Sequence, residues 1–210
     1  MRGLWLDRSH RERRVILLLL ACASEEDTAR VSPWDERAFA VEVIDYALGE
    51  GSGFGAALLP EVVLGPPQGR GDAAGSLDVV SLGREGEITL RLGQTLVDGA
   101  GPDLLVFENA FVGWTERGEV SVSEDGERWL TWACAPDGAG CAGLEPVYYA
   151  EGSGLCPTDP AEAGGDAFDL AELGMTHASY VRVRDVGDND YAGISGGFDL
   201  DAVAAVGRCK

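Results

Sequence analysis

The last third of the chain combines aspartate with glycine, a composition that suits the binding of a hard cation. Calcium takes about six to eight oxygen ligands, and glycine lets a backbone turn tightly enough to bring those oxygens together. Residues 188–190 read Asp-Asn-Asp and have the oxygen spacing of calcium loops, but the full EF-hand pattern with its final glutamate is missing. The alternative is that these residues only form turns at the ends of strands. The aspartates that predict a structural calcium site are Asp166, Asp169, Asp185, Asp188, Asp190, Asp199 and Asp201.

Four further residues are candidates for contact with a ligand. Glu108 and Asn109 directly follow the apolar residues 104–107, and polar residues at the end of a central strand often lie at the rim of a sandwich, where ligands bind. The alternative is that they cap the strand and satisfy loop backbone groups. Trp114 and Tyr191 lie in segments rich in glycine or charge, which predicts exposed rings on which a sugar stacks. The alternative for them is the core, where most aromatic residues of a sandwich lie.

The sequence contains no convincing catalytic motif. Residues 193–197 match G-x-S-x-G, but a nucleophile elbow needs a strand before the serine, a helix after it and a histidine later in the chain. Here His177 precedes the serine, and a strand-like segment follows it. We therefore expect a protein that is not an enzyme. A hydrolase or lyase that acts on extracellular polysaccharide is an alternative, because a chain rich in acids always offers pairs of carboxylates.

The elements that must position these residues are β-strands. Apolar and polar residues alternate over residues 87–92, 119–123 and 180–184, which is the period of a half-buried strand. Residues 104–107 are continuously apolar, as in a central strand covered on both faces. Glycine, proline and aspartate separate these segments. The pattern predicts an all-β fold, a β-sandwich with at most one or two short helical turns, and a single domain over residues 36–208.

The amino-terminal segment has the features of an export signal. Arginines precede an apolar run over residues 15–20, which is too short to span a bilayer as a stable helix. Residues 19–22, Leu-Leu-Ala-Cys, resemble the lipobox of bacterial lipoproteins. The resemblance implies that residues 1–22 are a lipoprotein signal peptide and that Cys22 carries the lipid. An ordinary secretory signal with an incidental cysteine is the alternative.

The residues that follow the lipobox indicate where such an anchor would lie. Ala23 stands where an aspartate would favour retention at the inner membrane, so the outer membrane or cell surface is expected. Residues 23–35 are polar and acidic, and they predict a flexible tether between the anchor and the domain.

Export predicts an oxidising compartment, and the remaining cysteines agree with it. Cys134, Cys141, Cys156 and Cys209 form an even set that permits three pairings. Cys134 and Cys141 flank a turn-rich loop that suits a local disulfide, which would leave Cys156 to pair with Cys209. Zinc is the alternative, but the chain has no C-x-x-C motif and His177 is its only histidine outside the signal.

The chain is strongly acidic, with a formal net charge of −20 at pH 7. Such a chain repels nucleic acid and anionic lipid headgroups, so neither is an expected partner. An acidic surface is compatible with divalent cations, although it also serves solubility alone.

Residues 122–129 match the pattern V-S-x-D-G-x-x-W and resemble a hairpin of discoidin-like, galactose-binding-type jelly rolls. In that hairpin Asp-Gly makes the turn and the tryptophan packs on the core. Residues 180–183, Tyr-Val-Arg-Val, are similar to a later strand of the same domains. The segments 51–55, 63–67, 76–83, 101–111, 164–174 and 196–206 resemble a bacterial family of cell-surface lipoproteins that has no assigned activity.

The resemblance to jelly rolls implies a fold of jelly-roll type and one further calcium hypothesis. Jelly-roll carbohydrate-binding modules often hold a structural calcium ion where the first strand meets the last. By that analogy Glu42 on the first strand and Asp201 on the last would be ligands.

Together these inferences predict a lipid-anchored surface protein that binds a ligand without catalysis. Polysaccharide is the expected ligand class and calcium the expected structural ion. The alternative partner is a surface protein or matrix, in which case the chain would be structural or adhesive.

Overall fold

The computed structural model describes residues 32–188 and 193–210, and Ser32–Lys210 form one compact unit. Within the described residues the chain forms ten strands that pair only in antiparallel fashion. In chain order the strands are β1 (Ala40–Ala47), β2 (Val80–Ser81), β3 (Glu87–Val97), β4 (Leu104–Glu108), β5 (Gly118–Ser123), β6 (Leu130–Thr131), β7 (Cys141–Ala142), β8 (Asp166–Phe168), β9 (His177–Asp185) and β10 (Asp199–Ala205).

These strands form two sheets that pack face to face around one apolar core. One sheet has the order β1-β3-β9-β5-β6, with β7 also paired to β5, and the other has the order β2-β10-β4-β8. Alternating residues such as Ile88, Val120 and Val183 are fully buried between them. The predicted β-sandwich is therefore confirmed.

Strand β4 lies inside its sheet, between β10 and β8, and all five of its residues are buried. This confirms the prediction from its continuous apolar run. Strands β9 and β10 lie in opposite sheets, so the chain crosses the sandwich between them.

More helical turns are present than the sequence predicts. The described residues contain one α-helical turn, α1 (Pro160–Ala163), and five 3-10 turns. Turns of three or four residues leave no helical periodicity in the sequence, so the periodic pattern does not reveal them. The 3-10 turns are Glu36–Ala38, Ala56–Leu58, Glu61–Val63, Gly71–Ala73 and Leu170–Leu173.

The hairpin between β5 and β6 differs in one respect from what the resemblance implies. Asp125 and Gly126 make the turn, since Asp125 accepts hydrogen bonds from the backbone N–H groups of Glu127 and Arg128. The ring of Trp129, however, is only half-buried and lies 4.0 Å beneath the Arg182 guanidinium. Trp132 belongs to the core instead.

The four cysteines pair as predicted, Cys134 with Cys141 and Cys156 with Cys209. The second disulfide joins the segment before α1 to the segment after β10. No helix among the described residues is long and apolar enough to cross a bilayer.

Candidate functional site

Three strands of the four-stranded sheet, β2, β10 and β4, have neighbouring ends that carry polar residues of the candidate site. Antiparallel pairing sets Asp199, the first residue of β10, opposite Ser81, the last residue of β2. The same strand sets Leu200 opposite Glu108, the last residue of β4. The register therefore brings Glu108 and Asp199 to the same end of the sandwich.

Glu116 joins them from the loop that links β4 to β5 in the other sheet. One carboxylate oxygen from each of Glu108, Glu116 and Asp199 lies within 4.8 Å of the other two. The three side chains are 1%, 3% and 7% exposed, so they form a buried group rather than part of the surface. We call these three residues the carboxylate cluster.

Hydrogen bonds satisfy only part of the polar atoms in this region. The Ser81 hydroxyl donates to Oδ1 of Asp199, and Nδ2 of Asn109 lies 3.5 Å from Oδ2 of Asp199. In contrast, Oε2 of Glu108 and Oδ1 of Asn109 are buried without a hydrogen-bond partner among the described residues. Most buried polar atoms in proteins have such a partner, so two unpaired oxygens in one place call for an explanation.

Burial and mutual repulsion change the acidity of the cluster. Burial, followed by the charges of Asp199 and Glu116, raises the pKa of Glu108 well above its usual range. Burial, followed by the charges of Asp199, Asp185 and Asp188, raises the pKa of Glu116 to about 8. Burial also raises the pKa of Asp199, against the hydrogen bonds from Ser81 and Asn109. Without a counter-charge, Glu116 therefore tends to hold a proton at neutral pH.

A cavity of about 380 Å³ opens beside the cluster, and we call it the aromatic cavity. Asp199 belongs to the carboxylate cluster and also lines the cavity, so the cluster lies at the inner wall of the cavity. The wall combines aromatic rings with hydroxyl, amide and carboxylate groups. Its lining residues are Phe54, Ser76, Leu77, Asn109, Phe111, Trp114, Ser195 and Asp199.

Phe111 and Trp114 form a fixed aromatic pair in this wall. Their backbones exchange two hydrogen bonds, 3.2 Å and 2.9 Å long, across a tight turn. Their rings are nearly parallel, with an interplanar angle of 7° and centroids 6.4 Å apart. Trp114 lies between β4 and β5 and is 42% exposed, which leaves part of its indole open to a ligand.

The backbone of Gly75 lies close to the Asn109 amide. A Cβ atom at position 75 would lie 2.3 Å from Oδ1 of Asn109, closer than such atoms come in proteins. Only glycine therefore fits beside this amide without displacement.

Glu42 and Asp201, predicted as joint calcium ligands, are not brought together. Glu42 lies exposed on β1 and forms an ion pair with Arg91, at 2.7 Å between Nε and Oε2. Asp201 is buried on β10 in the opposite sheet, where both carboxylate oxygens accept from the backbone N–H of Gln68. Each side chain has a different partner.

Asp185 and Asp188 have structural partners as well. Asp185 is buried and accepts hydrogen bonds from the backbone N–H groups of Glu85, Gly187 and Phe198, which ties three segments together. Asp188 forms an ion pair with Arg117. Asp190 and Tyr191 lie outside the described residues.

Asp166 and Asp169 lie away from the cluster. Asp166 accepts hydrogen bonds from the backbone N–H groups of Gly143 and Leu144, and burial raises its pKa to about 6. Asp169 caps the turn Leu170–Leu173 and belongs to a second acidic group with Asp98 and Asp103.

That second group lies at the opposite end of β4. Both carboxylate oxygens of its buried member, Asp103, accept from backbone N–H groups, those of Gly99 and Leu170. Ordinary hydrogen bonds thus account for both carboxylate oxygens of Asp103, whereas Oε2 of Glu108 has no such bond from a described residue.

A second cavity of about 510 Å³ lies around Tyr148, and we call it the Tyr148 cavity. It is larger, but its lining holds one exposed ring, and its buried carboxylate, Asp166, is already bonded to backbone donors. The aromatic cavity is the better candidate because stacked rings and unpaired buried oxygens occur there together.

The sequence predicts Glu108, Asn109 and Trp114 as ligand contacts and Asp199, separately, as a calcium ligand. The structure brings these residues together at the cluster and the adjoining cavity. The sequence analysis missed Glu116, Phe111 and Phe54. Phe111 and Trp114 are three residues apart in a glycine-containing segment, a spacing that could have suggested a paired turn. Glu116 carries no local signal, because its approach to Glu108 depends on how the loop crosses the sandwich.

Comparisons with known proteins add little to this geometry. No protein-family model matches the chain, and no curated protein matches it. A solved structure with some similarity is CBM32-3 from a family 31 glycoside hydrolase of Clostridium perfringens, at 13% identity, over 82% of this chain and 88% of that chain, with a TM-score of 0.29. A TM-score this low supports no inference about the fold or the ligand, so the resemblance to bacterial cell-surface lipoproteins stays a prediction.

Proposed function

We propose that this chain is a non-enzymatic carbohydrate-binding module of the cell surface that holds its ligand in the aromatic cavity. The observation that carries the proposal is the Phe111–Trp114 pair beside Asn109, Ser76 and Ser195. A sugar ring has an apolar face that stacks on an indole and hydroxyls that need polar partners, and this wall offers both. The cavity volume of about 380 Å³ lies within the range of small-molecule sites, about 300–1,000 Å³.

The proposed location rests on the sequence. The signal segment and Cys22 lie outside the described residues, so lipid anchoring at the outer membrane is part of the proposal. The two disulfides support export, because such bonds persist in oxidising compartments.

A hydrolase or lyase is the second candidate, because carboxylates with raised pKa values converge beside a cavity. A glycosidase, however, needs two carboxyl groups that flank the scissile bond. Of the cluster only Asp199 lines the cavity, whereas Glu108 and Glu116 are buried behind it. This placement favours binding. Release of reducing ends from a polysaccharide by the wild-type protein, and its loss in Glu116→Gln, would instead support hydrolysis.

The binding proposal is tested by retardation of the purified protein in gels that contain neutral or acidic polysaccharides. We expect at least one polysaccharide to retard the wild type and Trp114→Ala to weaken binding at least tenfold, about 1.4 kcal/mol, through the lost stacking surface. Tyr148→Ala is the matched control, because its ring is equally exposed, at 45% against 42%, in the other cavity.

Three outcomes would count against the proposal in different ways. Loss of binding in Tyr148→Ala alone would move the site to the Tyr148 cavity. Equal loss in both variants would show no preference for either cavity. No retardation by any polysaccharide would favour the adhesive alternative, in which the partner is a protein or matrix.

A further inference from the structure

One carboxylate oxygen of Glu108 is buried without a hydrogen bond from any described residue. The side chain is 1% exposed, backbone N–H groups of Asn109 and Asp199 bond the carboxylate, and Oε2 has no partner among the described residues. An ionised carboxylate oxygen in such a place is costly unless a proton or a cation balances it. One carboxylate oxygen each of Glu116 and Asp199 lies within 4.8 Å of an oxygen of Glu108, and this crowding of acids increases the need for positive charge.

The members of the carboxylate cluster and the neighbouring Asn109 share one chemistry. Glu108, Glu116 and Asp199 offer carboxylate oxygens, and Asn109 offers an amide oxygen that is itself buried without a partner. The Ser81 hydroxyl holds Oδ1 of Asp199, which leaves Oδ2 on the side of Asn109. A site made only of oxygens suits calcium, whereas zinc prefers nitrogen and sulfur.

We propose that Glu108, Glu116 and Asp199, with the amide oxygen of Asn109, bind one calcium ion at the inner wall of the aromatic cavity. Calcium takes about six to eight oxygens, and water or a ligand hydroxyl completes the set from the cavity side, where Asp199 is a lining residue. The charge of the ion offsets most of the charge of three ionised carboxylates. The site does not rest on the proposed carbohydrate function, because the ion binds whether or not a sugar is present.

The first test is calorimetric titration of the purified wild-type protein with calcium chloride at physiological ionic strength. One tight site per chain is expected. Thermal melts should then shift upward by about 5–10 °C when free calcium reaches a hundred times the dissociation constant, relative to chelator. Absence of a saturable site and of a shift would overturn the proposal whatever the variants do.

The second test uses isosteric variants, whose effect should reverse sign with calcium. In chelator, Glu116→Gln and Asp199→Asn remove one of three crowded acids and should melt at or above the wild-type temperature. In calcium they should melt below the wild type, because the ion no longer adds its binding free energy. Two variants are used so that failure of one to fold leaves the test intact.

The matched control is Asp201→Asn, two residues along the same strand. Asp201 is as buried as the cluster, and its charge is removed in the same way, but its oxygens contact the backbone of Gln68. It should keep the full calcium shift. If the calcium shift is reduced equally in Asp201→Asn and Glu116→Gln, calcium acts by screening the acidic chain. If Glu116→Gln or Asp199→Asn keeps the full shift, the carboxyls of the cluster hold protons instead of the ion. Either result would contradict the proposal.

Discussion

Glu116 shows how a single buried carboxyl couples stability to pH. Its pKa is about 8 in the folded protein and near the ordinary value of 4.5 in the unfolded chain. Between those values the folded state holds a proton that the unfolded state has lost. In buffer without calcium, its contribution to stability is therefore complete below about pH 4.5 and is lost as the pH rises through about 8.

The corresponding prediction concerns the slope of stability against pH. With chelator present, the free energy of unfolding of the wild type should fall as the pH rises from 5 to 8, and Glu116→Gln should show a shallower fall because glutamine does not titrate. Urea denaturation at several pH values measures this. Glu127→Gln, at an exposed position in the turn after β5, controls for the loss of one negative charge. An equal slope in Glu116→Gln and wild type would contradict the assigned pKa.

At the residue scale the sequence identifies candidate site residues better than it predicts which of them lie in contact. Glu108 and Asn109 are recognisable because they end an apolar run, and Asp199 because it begins another. Glu42 and Asp201 illustrate the limit. Both are acids on strands, but which sheet holds each strand depends on pairing between distant segments, and that pairing leaves no mark in the local pattern.

At the scale of elements, period-2 alternation and apolar runs are enough to find β3, β4, β5 and β9. The two-residue strands β2, β6 and β7 and the 3-10 turns are too short to produce a period. The local sequence also does not predict that β9 and β10 belong to opposite sheets. This crossing positions the site, because the segment that connects the two strands ends at Asp199.

The two disulfides should differ in their effect on stability. Cys156 and Cys209 are 53 residues apart and Cys134 and Cys141 only 7. In the chain-entropy model the longer loop contributes about 4 kcal/mol and the shorter about 2.5 kcal/mol, because more freedom is removed from the unfolded chain.

Paired serine substitutions and chemical denaturation test this. Replacing Cys156 and Cys209 should lower the free energy of unfolding by more than replacing Cys134 and Cys141. A larger loss of unfolding free energy on replacing Cys134 and Cys141 would mean that the local disulfide stabilises the folded loop between β6 and β7, an effect that the chain-entropy model does not include.

At the scale of the whole molecule, the sandwich gathers loops from both sheets at one end. Phe54, Ser76, Trp114 and Ser195 come from three connections, those between β1 and β2, β4 and β5, and β9 and β10, and they line one cavity. The carboxylate cluster lies beneath it, where strands from one sheet meet a loop that leads to the other. A ligand site at that end would thus combine a fixed aromatic pair with an ion held by the framework itself.

The decisive measurement is a crystal structure grown with calcium and soaked with an oligosaccharide cut from whichever polysaccharide retards the protein. We expect a sugar ring stacked on Trp114 in the aromatic cavity. We also expect an ion about 2.3–2.6 Å from oxygens of Glu108, Glu116 and Asp199. A sugar in the Tyr148 cavity, or an ion at Asp98, Asp103 and Asp169 with the carboxylate cluster bonded only within itself, would contradict these expectations.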